Sequence, residues 1–335
     1  MKILGIETSC DETAAAIIEA KGDKIRVLSN LISSQVDIHR RFGGIVPEVA
    51  AREHLKNILP IIDQARGDIS WSEIDYLAVT SGPGLITSLI VGVETAKTLS
   101  YSQQIPLIAV NHLEAHLLAN FLNHQIKLPA LGLIVSGGHT QLILIRKIGD
   151  YQIIGQTLDD AAGECFDKVA KLLNVGYPGG PIIEKLAKNG KPTAVNFPRP
   201  LIDKANYNFS FSGLKTSVLY FSQQSGFKKY KTADICASFQ QAVVDVLVSK
   251  TVRAAKTYKV KTVMLAGGVA ANKKIRNGLK NMINRELKQV KFFVPEFRLC
   301  TDNALMIAVV GYFRAQQKII TPYNKLKADP NWQLD

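Results

Sequence analysis

Residues 131–145 read LGLIVSGGHTQLILI, two apolar runs broken by Ser136-Gly137-Gly138-His139. Apolar runs of this length joined by a glycine-rich break form a strand, a turn and a returning strand. The same order opens the chain. Ile3 to Ser9 is a strand of apolar and small residues, Cys10 to Thr13 a polar turn, and Ala14 to Ile18 the return. Each hairpin is followed by a third strand, Arg26 to Ile32 in the first case and Tyr151 to Thr157 in the second. The repetition continues. Pro47 opens a helix at its favoured first position, with Leu55, Ile58 and Ile62 spaced along one face. A strand at Tyr76 to Thr80, a helix after Ser81-Gly82-Pro83-Gly84, a strand at Leu107 to Val110 and a helix from His112 complete the first copy. In the second copy a Gly/Pro-rich stretch from Asp159 to about Lys231 intervenes. A helix carrying Ile235, Phe239, Ala242 and Val246 follows, then the strand Thr262 to Ala266, a basic helix from Asn272, the strand Phe292 to Val294 and a helix from Thr301.

This order predicts an α/β protein of two duplicated lobes, 1–128 and 129–335, with an inserted substrate-binding segment at about 159–231. A length of 335 residues suits two domains. Ligands are expected in a cleft between such lobes, where the first hairpin turn of each presents backbone N–H groups to phosphate. The layout resembles the actin, Hsp70 and sugar-kinase superfamily, with its RNase H-like lobes. That resemblance implies a nucleotide and says little about the chemistry.

The composition narrows the class. Lys and Arg number 41 against 28 Asp and Glu, a formal charge of +13, so acidic partners such as nucleic acid, anionic lipid or phosphorylated ligands are favoured. A hydrophobic fraction of 47% argues against disorder. No apolar run approaches the ~18 uncharged residues that span a bilayer, and a strand beginning at Ile3 leaves no room for a signal or transit segment. Cys10, Cys165, Cys236 and Cys300 are scattered without a C-x-x-C spacing, which fits a reducing compartment.

His112-Leu113-Glu114-Ala115-His116 places two imidazoles at i and i+4 on one helix face, a spacing that lets both reach one metal ion. Packed or surface histidines would show the same spacing. Glu114 does not occupy the second position, so the H-E-x-x-H peptidase pattern is absent. Asp302 stands in the second copy nearly where His112 stands in the first. It is either a third ligand or the N-cap of the last helix. Two His and one carboxylate with open positions suit a catalytic iron or zinc site.

Seven motifs then occur in order: GIETSCDET at 5–13, HLEAH at 112–116, VSGGHT at 135–140, DDAAGE with FDK at 159–168, YPGGP at 177–181, FSFSGLKT at 209–216 and GGVAAN at 267–272. With them the chain resembles the tRNA N6-adenosine threonylcarbamoyltransferase family, in its bacterial or organellar form, from about Ile3 to Phe313. The resemblance implies that the N6 amine of adenosine 37, in tRNAs reading ANN codons, attacks the carbonyl of threonylcarbamoyl-adenylate. AMP leaves and t6A forms. It further implies that His112, His116 and Asp302 ligate one divalent metal, Fe2+ ahead of Zn2+, acting as Lewis acid or anchor. Ile134, Val135, Ser136, Gly137 and Gly138 correspond to the strand and turn near the substrate phosphate, or near that of ATP or AMP in the same place. Asp167, Gly180 and Glu184 correspond to groups around the ribose, and Asn272 to a residue near the adenine.

Asp11 and Glu12 are either the acceptor of the amine proton or ordinary turn residues. Cys165 has no histidine partner and reads as packed, and His139 is either a neighbour of the metal or a hydrogen-bonded turn residue. His39, His54 and His124 read as structural or surface residues. Lys273, Lys274, Arg276 and Lys280, with Lys228, Lys229 and Lys231, either touch tRNA phosphates or are merely solvated.

The family works with the tRNA anticodon arm, a related dimerisation partner and a small ATPase, in the cytoplasm or, if organelle-encoded, the plastid stroma, with no membrane involved. Two rivals are a kinase of the same superfamily and a non-catalytic ATP-binding scaffold. The tail Thr321 to Asp335 carries no recognisable motif.

Overall fold

In the computed structural model, which describes residues 1–22 and 24–334, the chain builds two units: Met1–His124 with Thr301–Leu334, and Gln125–Cys300. The first begins with β1 (Lys2–Glu7), β2 (Glu12–Lys21) and β3 (Lys24–Ser34). α1 (Val36–Arg40), α2 (Pro47–Arg66), β4 (Tyr76–Gly82), α3 (Ile86–Gln103), β5 (Leu107–Asn111) and α4 (His112–Leu118) follow. The second unit holds β6 (Ala130–Val135), β7 (Thr140–Lys147), β8 (Asp150–Gln156), α5 (Ala162–Leu172), α6 (Gly179–Ala187) and α7 (Ser212–Gln223). It continues with α8 (Thr232–Thr257), β9 (Thr262–Ala266), α9 (Lys273–Glu286) and β10 (Lys291–Phe293). The last helix, α10 (Ala304–Gln316), lies in the first unit.

The duplication expected from the order of elements is present in the sheets. One has the order β3-β2-β1-β4-β5 and the other β10-β9-β6-β7-β8, the same arrangement read from opposite ends. β1 pairs antiparallel with β2 and parallel with β4, while β6 pairs antiparallel with β7 and parallel with β9. Central strands covered on both faces need continuous apolar sequence. β6 is accordingly buried along its whole length, and β1 from Ile3 onward.

Two expectations need correction. The division at 128/129 placed everything to residue 335 in the second lobe, but residues 301–334 pack with the first unit. α10 lies against β1, β2 and β4 with every residue from Ala304 to Tyr312 buried. The approach is close enough that a Cβ on Gly5 would stand 2.4 Å from the Ala304 carbonyl oxygen. On α2, Ile58 and Ile62 are buried as expected, but Leu55 is 65% exposed because Ile61 turns inward instead. Leu55 joins Leu59, Ile90 and Leu99 along an apolar groove between α2 and α3.

The tail is also ordered into the first unit. Thr321 N–H donates to the Leu107 carbonyl and Asp329 N–H to that of Ser81, each at 2.7 Å, and Leu326 and Leu334 are buried. Among the described residues no helix is long and apolar enough to cross a membrane.

Candidate metal centre and ligand turns

Asn111, the last residue of β5, starts α4 by accepting from Leu113 N–H at 2.9 Å and Glu114 N–H at 3.3 Å. Capping there puts His112 on the first turn and His116 on the next. Their rings meet edge to face, centroids 4.6 Å apart. The loop before α10 supplies the carboxylate. Asn303, not Asp302, caps that helix, accepting from Met306 N–H at 3.1 Å. The N-cap reading of Asp302 is thereby excluded, and its Oδ1 lies 3.4 Å from His112 Nε2 and 3.1 Å from His116 Nε2. Taken as one ligand atom each from His112, His116 and Asp302, the donor atoms all lie within 4.8 Å of one another.

Behind the pair stands Glu7, fully buried in β1. Its Oε2 lies 3.1 Å from His112 Nδ1 and accepts from Thr80 Oγ1 at 2.6 Å. Its Oε1 accepts from Ser9 N–H, and Ser9 Oγ lies 3.1 Å from the same His112 nitrogen. Burial alone would lower the His112 pKa, but the Asp302 and Glu7 carboxylates outweigh it and push it up to about 10. Burial likewise opposes ionisation of Asp302, yet the two imidazoles hold it well below the usual carboxylate range. One buried carboxylate, Glu7, and one half-buried, Asp302, around two imidazoles form a well for positive charge. The donor set fits a divalent ion: two imidazole nitrogens, which a bound cation would keep unprotonated, and one carboxylate, with a carboxylate behind His112 Nδ1 to fix its tautomer. Among the described residues the buried Nδ1 of His116 has no hydrogen-bond partner.

The neighbouring β1–β2 turn is held from outside. His54 Nε2 and Ser88 Oγ both reach the Cys10 carbonyl, at 3.0 and 3.2 Å, and Thr13 Oγ1 lies 2.8 Å from His54 Nδ1. His39 and His54 are therefore buried structural residues, and His124 is half-buried. Glu12 accepts from Ser34 Oγ at 2.9 Å. Burial and the adjacent Asp11 carboxylate raise its pKa far above the usual range, so it holds its proton at neutral pH. A carboxyl that already carries its proton cannot take up the amine's, which argues against Glu12 as a base.

In the second unit, Ser136 N–H donates to the His139 carbonyl at 2.8 Å and His139 N–H to Ser136 Oγ at 3.0 Å. This closes the β6–β7 turn and assigns the His139 main chain to the turn. Gly163 packs beneath it, where a Cβ would stand 2.5 Å from the Ser136 oxygen. Gly137, Gly138 and Gly180 differ, since a Cβ on any of them would meet none of the described residues within 4 Å. Ile134 and Val135 are completely buried strand residues, so they offer a ligand only main chain.

Asp167 accepts from Gly179 N–H at the start of α6 at 2.7 Å, and burial raises its pKa despite the Gly179 and Gly180 N–H groups that oppose the shift. Glu184 accepts from Lys273 N–H at 2.7 Å. Asn272 caps α9 through Lys274 and Ile275 N–H and donates to Gln240 at 2.9 Å. Each of these three polar side chains thus serves the helix starts around it. Cys165 is buried, and burial pushes its thiol pKa up, as befits a packed residue.

Lys273, Lys274, Lys280, Lys228, Lys229 and Lys231 are exposed. Arg276 is not available in the same way. It donates to the Ala270 and Pro295 carbonyls and to Cys300 Sγ, with its guanidinium 4.0 Å from the Phe297 ring centre. Glu7, Ser9 and Thr80 had no assigned role from sequence. The available signal was a carboxylate in an otherwise apolar strand, which demands a buried partner.

A sequence model of the family described as tRNA N6-adenosine threonylcarbamoyltransferase matches residues 26–309. A relative of that name from Thermotoga neapolitana is 50% identical over 332 residues, covering 99% of each chain. One from Thermosipho africanus is 49% identical over 338 residues and covers both chains completely. Among solved structures, T. kodakarensis HypF superposes with a TM-score of 0.62 at 16% identity, over 94% of this chain and 47% of that one. The Acidaminococcus fermentans (R)-2-hydroxyglutaryl-CoA dehydratase component A gives 0.55 at 16% identity, over 94% and 99%. At such identities the likeness is one of fold.

Proposed function

The chain belongs to the tRNA N6-adenosine threonylcarbamoyltransferase family, and on that premise we propose that it transfers the threonylcarbamoyl group of threonylcarbamoyl-adenylate to N6 of adenosine 37 in tRNAs reading ANN codons. The amine nitrogen bonds to the carbamoyl carbon, the bond from that carbon to the phosphate oxygen breaks, AMP departs and the amine proton passes to a base. Most of the acceleration comes from orientation and charge stabilisation.

His112, His116 and Asp302 hold the metal, Fe2+ ahead of Zn2+, and Glu7 holds the His112 ring. When bound, the ion supplies Lewis acidity toward a carbonyl or phosphate oxygen. Ser136, Gly137 and Gly138 cradle the phosphate of the adenylate, or of ATP or AMP, supported by the open space over both glycines. Ile134 and Val135 carry that turn. Gly180 lets the ribose approach between Asp167 and Glu184, and Asn272 sets the helix start beside the adenine. Of the two turn carboxylates, the proton-accepting role falls to Asp11, with Glu12 as a donor.

Lys228, Lys229, Lys231, Lys273, Lys274 and Lys280 meet phosphates of the anticodon arm. The exposed apolar groove on α2 and α3 is the kind of surface that the family's dimerisation partner would cover, and a small ATPase completes the set, in the cytoplasm.

The donor set of His112, His116 and Asp302 carries this choice over the kinase and scaffold alternatives. Phosphoryl transfer relies on Mg2+ held by oxygen ligands and has no use for a buried imidazole pair. The test is mass spectrometry of nucleosides from unmodified tRNA incubated with this protein, its partners, threonine, bicarbonate and ATP. Appearance of t6A that requires this chain and is lost in His112→Ala is expected. No t6A with partners of proven activity would sink the assignment.

A further inference from the structure

The tail after α10 has no motif, yet it grips the helix that carries both histidines. Asp329 N–H donates to the Ser81 carbonyl at 2.7 Å, and Gly84 N–H to that of Pro330 at 3.3 Å. A Cβ on Gly82 would run into the Asp329 carbonyl, so β4 ends on the one residue that admits the tail. Next along the tail, Asn111 Nδ2 donates to the Trp332 carbonyl at 3.2 Å and stands 3.5 Å from that of Gln333. The same Asn111 caps α4 with its other amide atom.

A second tie reaches the middle of the helix. The Arg314 guanidinium lies 5.7 Å from the Trp332 ring centre, and it donates to the Ala109 carbonyl at 2.9 Å and to Glu114 Oε2 at 2.6 Å. Glu114 is buried on α4 between His112 and His116.

A helix of seven residues has almost no stability of its own, so its direction is set by what holds it. Metal donors must be placed to within about half an ångström for full affinity. We propose that the segment Asp329–Leu334, acting with Arg314, is a positioning strap for α4 that sets the metal affinity of His112 and His116. The strap works through Asn111 at the helix start and Glu114 between the two ligands. This rests on the assignment of His112, His116 and Asp302 as metal ligands.

The test titrates the metal-free protein with Zn2+ alone against a chromophoric chelator. The chains compared are the parent, His112→Ala, a chain ending at Lys327, Asn111→Ser, Trp332→Ala and Trp332→Phe. Serine still caps the helix but cannot reach the tail. Expected are tight binding by the parent, its loss in His112→Ala, and dissociation constants raised about tenfold in Asn111→Ser, Trp332→Ala and the shortened chain, with Trp332→Phe restoring most of the affinity. Unchanged melting of metal-free Asn111→Ser and Trp332→Ala separates positioning from general stabilisation, and these two variants decide the matter if the shortened chain does not fold. Parent-like Zn2+ affinity in both, with the parent binding tightly, overturns the strap and leaves the metal site standing. A parent that takes up no Zn2+, or His112→Ala binding as tightly as the parent, overturns the metal assignment and the strap with it.

Discussion

Replacing Glu7 with glutamine keeps the side chain's shape and removes a charge that the fold has buried completely. Glu7 accepts on both oxygens, from Ser9 N–H on one and from Thr80 Oγ1, at 2.6 Å, on the other, which also faces His112 Nδ1 at 3.1 Å. An amide cannot reproduce this. With its NH2 toward Ser9, two donors meet. Turned over, the NH2 opposes the His112 Nδ1 hydrogen and favours the tautomer that blocks Nε2, the nitrogen facing Asp302 at 3.4 Å.

Loss of a carboxylate behind a metal-binding imidazole weakens affinity by about 10- to 100-fold. At 1.36 kcal/mol per decade, that is about 1.4 to 2.7 kcal/mol. Ser9→Ala removes a neutral contact at 3.1 Å from the same nitrogen and should cost less, about threefold. The assay is chelator competition on the metal-free proteins, with circular dichroism to show that the fold persists. A Glu7→Gln affinity within twofold of the parent, or a larger loss in Ser9→Ala, would refute the view that Glu7 orients His112.

Gly137→Ala should leave the melting temperature unchanged, because none of the described residues lies within 4 Å of the added methyl, while raising the KM for the adenylate about tenfold. Gly163→Ala should do the reverse. Its Cβ would stand 2.5 Å from the Ser136 oxygen, so the repacked turn costs about 1–3 kcal/mol despite alanine's better helix propensity, visible as a lower melting temperature. Asp159 accepts from Ser210 Oγ and from the N–H and Oγ of Ser212 and the N–H of Phe211, and Asp159→Ala should cost about 1 kcal/mol in urea denaturation. Partial burial works against its ionisation, but these donors hold its pKa below the ordinary value, so the deficit should be full above about pH 4 and shrink as the pH falls through the lowered pKa. Lys250 is buried in α8 with Nζ 2.9 Å from the Asn206 carbonyl, and burial with Arg253 nearby lowers its pKa to about 8. Between about pH 8 and its ordinary 10.5 the unfolded chain binds the extra proton, so stability relative to Lys250→Met should rise with pH across that interval. Denaturation midpoints that run parallel for the two proteins would contradict this.

Much of this molecule is written locally. The two hairpins, the Pro47 helix start and the i, i+4 histidine pair all depend on residues within a few positions of one another, and strand alternation, turn chemistry and helical spacing act at that range. The duplicated sheets could therefore be read from element order, and the similar place of Asp302 and His112 followed from it. Even there the start of α10 slipped from Thr301 to Ala304, because Asn303 caps the helix and thereby leaves Asp302 to face the imidazoles.

Tertiary structure alone decided the rest. Glu7 meets His112 across 105 residues, and His116 meets Asp302 across 186. No spacing in the chain encodes such pairings. The motifless tail found its place against Ser81 and Asn111, and α10 crossed back to the first sheet, because Gly82 and Gly5 clear the way for backbone at those points. A sequence states which side chains prefer burial or charge partners. Which partner each receives depends on shape and packing summed over the whole fold, and the pKa of His112 and the availability of Asp302 follow from that sum.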